Sequence, residues 1–222
     1  MMSKKEARCF EFELRAEKNE EHGTFITGTP IVFNQETDLG YYRESISPEA
    51  LDRTDLKDVR FLVGHNTSMI PLARSRNNNA NSTMQMTVTE RGMEIRVDLD
   101  TENNADARTL YSAVNRGDIS GMSFMFTVDK DSWEDLESES PKRTITSIGK
   151  VFEVSAVAFP AYEGTDLQAA DQSGALESAR DTLESAREQL AEDRAREAEE
   201  ERRRAVLERL ENLCKEVKHD EV

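Results

Sequence analysis

Of the three histidines in the chain, one stands where a histidine could do acid–base work. His22 lies in a charged turn, EEHG, and His219 in the charged terminal segment. His65 ends a strand-like run, FLVGHN, directly after a glycine. A histidine there can exchange a proton near neutral pH, or it can simply fill a structural place at a strand end. The second group is a serine in ISGMSFMFTV. Read as a strand, this run puts Met122, Phe124, Phe126 and Val128 on one face and Gly121, Ser123, Met125 and Thr127 on the other. The first is a core face, so Ser123 projects away from it, beside a glycine that leaves room for a backbone or a substrate. A serine on the wet face of a half-buried strand gives the same pattern. Ser120 falls on the apolar face in this register and is the poorer nucleophile. The third group is Glu153 in KVFEVSAVAFPAYEG, a run apolar on both faces and therefore a buried strand. A carboxylate there is costly unless paired, and either a histidine or an arginine would serve.

These types complement one another. A serine hydroxyl is a weak nucleophile until a neighbour takes its proton, and that neighbour needs an acid to fix its tautomer and stabilise its charged form. Ser123, His65 and Glu153 are candidates for the three roles, and their sequence separations neither forbid nor require that they meet. Metal-dependent hydrolysis finds no ligands: there is no His-x-x-x-His and no Cys/His cluster. Cys9 and Cys214 sit far apart in unlike segments, with neither disulfide nor zinc spacing, which fits a reducing cytosol. No cofactor is called for.

The elements that must carry these groups are mainly strands. Phe10, Phe12 and Leu14 alternate with Glu11 and Glu13, Met84, Met86 and Val88 with Gln85 and Thr87, and Met93, Ile95, Val97 and Leu99 with Glu94, Arg96 and Asp98. Phe25 to Phe33 reads as a strand with a bend, or an edge position, at Gly28 and Pro30. Ser47-Pro48 starts a short helix, and Asn104 to Arg116 forms a longer one stopped by Gly117. Arg76 to Ser82 and Lys130 to Arg143 read as mobile loops. The expected class is mainly β with helices, α+β, in residues 1–170.

Residues 171–222 differ. After Gly174 there is no proline or aromatic, and Ala, Glu, Arg and Leu dominate. LESARDT and LESAREQ repeat in tandem, giving a stripe of Leu176, Leu183 and Leu190 that Glu197 and Arg204 interrupt; a second stripe runs through Leu207, Leu210, Cys214 and Val217. A coiled-coil assembly helix and a solvated single helix both fit. The net charge of −16 excludes a phosphate backbone as a natural partner. No secretory h-region follows the N-terminal lysines, and no apolar run is long enough to span a bilayer, so neither nucleic acid nor membrane is expected.

GTFITGTPIVFN, YYRESISPEAL, FLVGHN, PLAR, the helix ending in NRGD, ISGMSFMF and FEVSAVAFPAYEGT occur in this order between Ala7 and Gln168. Together they resemble the prohead maturation serine proteases of tailed bacteriophages, relatives of the herpesvirus capsid-maturation protease. The resemblance implies a herpesvirus-protease-like β-barrel surrounded by helices, with a helical tail. It aligns the family's histidine with His65, its serine with Ser123 and its acid with Glu153. Met125 stands where many relatives have glycine. The implied activity is endopeptidase cleavage of the scaffold region of the major capsid protein, and of the protease itself, inside the procapsid in the host cytoplasm. The tail is then a candidate for self-association or self-removal. The rival reading is a non-enzymatic assembly or scaffolding factor acting through that tail.

Overall fold

The computed structural model describes residues 5–10, 14–158 and 175–219, with side chains described except at 9, 10, 175, 176 and 211–219. Phe12, the FPAYEG run from Phe159, and the side chains of Leu176, Cys214 and Val217 thus lie outside the described residues. The chain divides into two units, Met1–Arg180 and Asp181–Val222.

The first unit is α+β, as its alternating patterns require. Its larger sheet has the order β1 (Lys5–Phe10), β10 (Gly121–Glu134), β11 (Lys142–Val157), β5 (Arg43–Ile46), β4 (Thr37–Asp38). The long β11 has two kinds of neighbour on its far side. Its first part runs parallel to β5 and its last part parallel to β6 (Asp58–Val63), which in turn pairs with β7 (Ala73–Arg76). The smaller sheet runs β2 (Arg15–Asn19), β3 (Gly23–Val32), β9 (Gly92–Asp98), β8 (Met84–Val88). Met122, Phe124 and Phe126 of β10 are wholly buried in one core with Ile26, Ile31, Met93 and Val97 of the smaller sheet. This is the apolar face read from ISGMSFMFTV.

The helix α1 (Ala105–Arg116) matches its expected span. The Asn104 side chain accepts hydrogen bonds from the N–H groups of Asp106 and Ala107, and Gly117 ends the helix at φ +79°. The Ser47-Pro48 start yields one 3₁₀ turn, Pro48–Leu51.

The structure corrects one of these expectations and sharpens two. Residues 130–134 and 142–143 are strand, not loop: the β10–β11 hairpin continues to Glu134↔Lys142. Buried Arg143 and the Tyr42–Trp133 edge contact, at 4.9 Å between ring centroids, fasten this end of the hairpin. The Arg76 to Ser82 stretch is a turn tied down by Asn78, whose side chain donates to the Met86 carbonyl and accepts from the Met86 N–H. Finally, of the bend and the edge position open to Phe25–Phe33, the structure has the irregularity: β3 lies inside its sheet. Pro30 is accommodated because the β3–β9 register shifts between Gly28 and Ile31, so no ladder bond is asked of it.

The second unit is the continuation of α2 (Ala175–His219). Within it Val206, Leu207 and Leu210 are more than half exposed. Among the described residues no helix is long and apolar enough to cross a membrane.

Candidate active site

Strand β6 ends in a reversal that delivers His65. Gly64 and His65 both take left-handed backbone, φ +59° and +57°, and the Asn66 N–H donates to the Val63 carbonyl at 3.2 Å. Two consecutive positive φ values are the signature of a type I′ turn. Glycine adopts this freely, whereas a side chain there carries a steric cost. The turn is held from β11: the Gly64 N–H donates to the Ala156 carbonyl at 2.9 Å and the His65 N–H to Ser155 Oγ at 3.1 Å.

The same strand supplies the acid. Glu153 Oε1 lies 2.6 Å from His65 Nδ1, with side chains only 4% and 13% exposed. Its other oxygen, Oε2, accepts a hydrogen bond from Ser155 Oγ at 2.5 Å. Of the two partners open to Glu153 in the sequence, histidine and arginine, the structure gives it histidine. Toward an ionised carboxylate, which only accepts, Nδ1 is the donor, and a neutral ring so bonded has its lone pair on Nε2.

Ser123 stands on the next strand. It is directly opposite Ser155 in the β10–β11 ladder, and Met125 is opposite Glu153. Opposed residues share a face, so Ser123, Ser155 and Glu153 project to one side of the sheet. Ser123 is wholly buried, not on a wet face, and its hydroxyl donates to the Arg8 carbonyl of β1 at 2.7 Å. Ser120 precedes β10 and is exposed rather than on the apolar face. His22 lies in the turn between β2 and β3, where its Nε2 meets Arg96 Nη1 at 3.2 Å; the side chain of His219 is outside the described residues. The structure thus pairs His65 with Glu153, and Ser123 projects from the neighbouring strand on the side of the sheet that Glu153 occupies.

The model of the caudovirus prohead serine proteases matches residues 10–179, more than half of the chain. The chain belongs to this family. It is accordingly a serine protease of phage capsid maturation. No curated protein sequence matches it. Among solved structures, the bacteriophage T4 capsid assembly protease, gp21, is similar over 68% of this chain and 98% of its own, at 12% identity and a TM-score of 0.34.

Two features of this prohead protease escape its sequence patterns. One is Ser155, whose only signal is its place on the Glu153 face of a doubly buried strand. The other is a buried ionic cluster that anchors β1. Arg8 bonds Glu6, Glu44 and the Tyr42 hydroxyl, while Arg143 bonds Glu6, Glu44 and Asp131. Burial alone would raise the Glu6 pKa, but the Arg8 and Arg143 guanidiniums outweigh it and hold the carboxyl below its ordinary value. Burial opposes the charge of Arg8 as well, and Glu44, Tyr42 and Glu6 more than restore it. Burial and the neighbouring carboxylates push the Tyr42 hydroxyl up to about 12, against the pull of the two arginines. Glu6 and Arg8 at alternate positions, opposite charges on one strand face, are the available hint.

Proposed function

We propose that this chain is an endopeptidase in which Ser123 is the nucleophile, His65 its general base and Glu153 the acid that orients His65. In this reading the Ser123 hydroxyl turns from the Arg8 carbonyl and passes its proton to His65 Nε2 as Oγ attacks the scissile carbonyl. Glu153 stabilises the imidazolium so formed, and His65 returns the proton to the leaving amine. Water then hydrolyses the acyl-enzyme by the same relay. The observation that carries the reading is the 2.6 Å His65–Glu153 contact on the sheet face that Ser123 shares.

The proposed substrates are the scaffold region of the major capsid protein and the protease itself, met inside the procapsid in the host cytoplasm. Residues 1–170 form the protease domain. Residues 171–222 form a self-association tail, a role supported by the exposed Val206, Leu207 and Leu210 on α2.

Co-expression with the capsid protein of the same phage tests this. Ser123→Ala or His65→Ala should lower cleavage by about 10⁴-fold or more. Ser120→Ala should leave it intact. Continued appearance of the processed capsid fragment with Ser123→Ala would remove the assignment.

A further inference from the structure

We infer that Ser155 is a positioning residue of this site, fixing both the Glu153 carboxylate and the His65 backbone through one hydroxyl group. The inference rests on the reading of Ser123, His65 and Glu153 given above.

A hydroxyl has one proton and two lone pairs. The Ser155 proton is given to Glu153 Oε2, because an ionised carboxylate only accepts, and one lone pair receives the His65 N–H. With the His65 Nδ1–Glu153 Oε1 bond, a ring closes: histidine backbone to serine hydroxyl, serine to carboxylate, carboxylate to the same histidine's imidazole. Each member is held by the other two.

The ring solves two problems. The terminal torsion of a glutamate is soft, so a carboxylate bonded through one oxygen can swing out of line with its histidine. Engaging both oxygens fixes its plane. His65 also has left-handed backbone, which persists only where the surroundings enforce it. Ser155 provides one anchor between this turn and β11, and the Gly64 to Ala156 bond provides another. Ser155 is wholly buried, so bulk water has no access to take over its bonds. A serine that merely satisfied a stray backbone donor would have no reason to join the two ends of one histidine through its acid.

The test uses the full chain and a small fluorophosphonate probe, whose fluoride leaves as an activated serine Oγ bonds to phosphorus. No peptide substrate is needed. Ser155→Ala should slow labelling of Ser123 by about 10- to 100-fold, through the bond-forming step rather than through probe binding. Ser155→Thr, which keeps the hydroxyl, should recover most of the rate. The downfield proton signal of the His65 Nδ1–H should weaken or move in Ser155→Ala and return in Ser155→Thr. A wild-type labelling rate together with an unchanged His65 signal in Ser155→Ala overturns the inference. If Ser155→Ala does not fold, Ser155→Cys, with its weaker donor, carries the same comparison. Failure of the underlying reading looks different: Ser123→Ala then labels as the wild type does. The His65 signal still decides whether Ser155 positions the pair.

Discussion

Glu153→Gln should leave a well-folded protein that barely works, and the hydrogen bonds around Glu153 say why. The carboxylate accepts from His65 Nδ1 on one side and from the Ser155 hydroxyl on the other. A glutamine has one oxygen and one NH₂, so it must choose. With its oxygen toward His65, its NH₂ faces Ser155 Oγ, which already accepts the His65 N–H. The Ser155 proton then loses its acceptor in a wholly buried place, at a cost of about 1–3 kcal/mol. Turned the other way, the glutamine oxygen takes the Ser155 proton and its NH₂ donates to Nδ1. Every bond is kept, but the ring proton is driven to Nε2, the atom that accepts from Ser123 in the proposed mechanism. That preference alone removes the working tautomer by roughly 5- to 150-fold. Loss of the negative charge that stabilises the imidazolium carries the total toward about 10⁴. The assays are fluorophosphonate labelling of Ser123 and calorimetry on the same sample, with ¹⁵N shifts of the ring to report its tautomer. A variant that labels within about threefold of wild type, with a lowered melting temperature, would show the pair to be structural and refute this reasoning.

The ionic cluster sets further expectations. Arg143→Met leaves Glu6, Glu44 and Asp131 short of a cation and should cost about 3–5 kcal/mol, lowering the melting temperature by on the order of 10 °C; calorimetry showing a drop under about 2 °C would contradict it. Because the folded Glu6 pKa lies below its ordinary value, its stabilisation is complete above the unfolded carboxyl pKa of about 4.3 and is lost as pH falls through the lower folded value. Urea titrations across that range should therefore show an acid limb that is shallower in Glu6→Gln. Gly92→Ala should be severely destabilising, by at least about 2 kcal/mol, since φ is +151° and the added carbon would lie 1.9 Å from the Ile31 carbonyl oxygen; limited proteolysis should cut it much faster than wild type.

Much of the strand framework could be read from alternation. β8, β9 and the apolar face of β10 follow directly from it, and α1 follows from its cap, its helical spacing and Gly117. What alternation cannot see is a strand that buries charge. Glu6 and Arg8 look like solvent-facing residues until Glu44 and Arg143, distant in sequence, arrive to pair them. The same cluster turned an expected loop at Lys130 to Arg143 into a hairpin. At the site, the need of Glu153 for a partner was legible, because a carboxylate in a doubly apolar strand demands one. Which partner it took was not, since that depends on the parallel register of β6 against β11. Ser155 carried no mark beyond its place on the Glu153 face: a serine's hydrogen bonds are decided by what the fold brings to it.

The left-handed turn, the acid and the serine strand also have a bearing on when the site comes into being. The bond from His65 to Glu153 spans 88 residues, and that from Ser123 to Arg8 spans 115. Neither contact is local, and β11 supplies both the acid and the groups that anchor the His65 turn. During synthesis, a chain that has not yet exposed residues 142–157 has no acid for its histidine and no central strand for β10 or β6 to pair with. Closing such loops is slow, because their entropy must be lost before any contact forms. In a chain assembled this way, the histidine, its acid and the serine strand come together only once residues 142–157 have emerged.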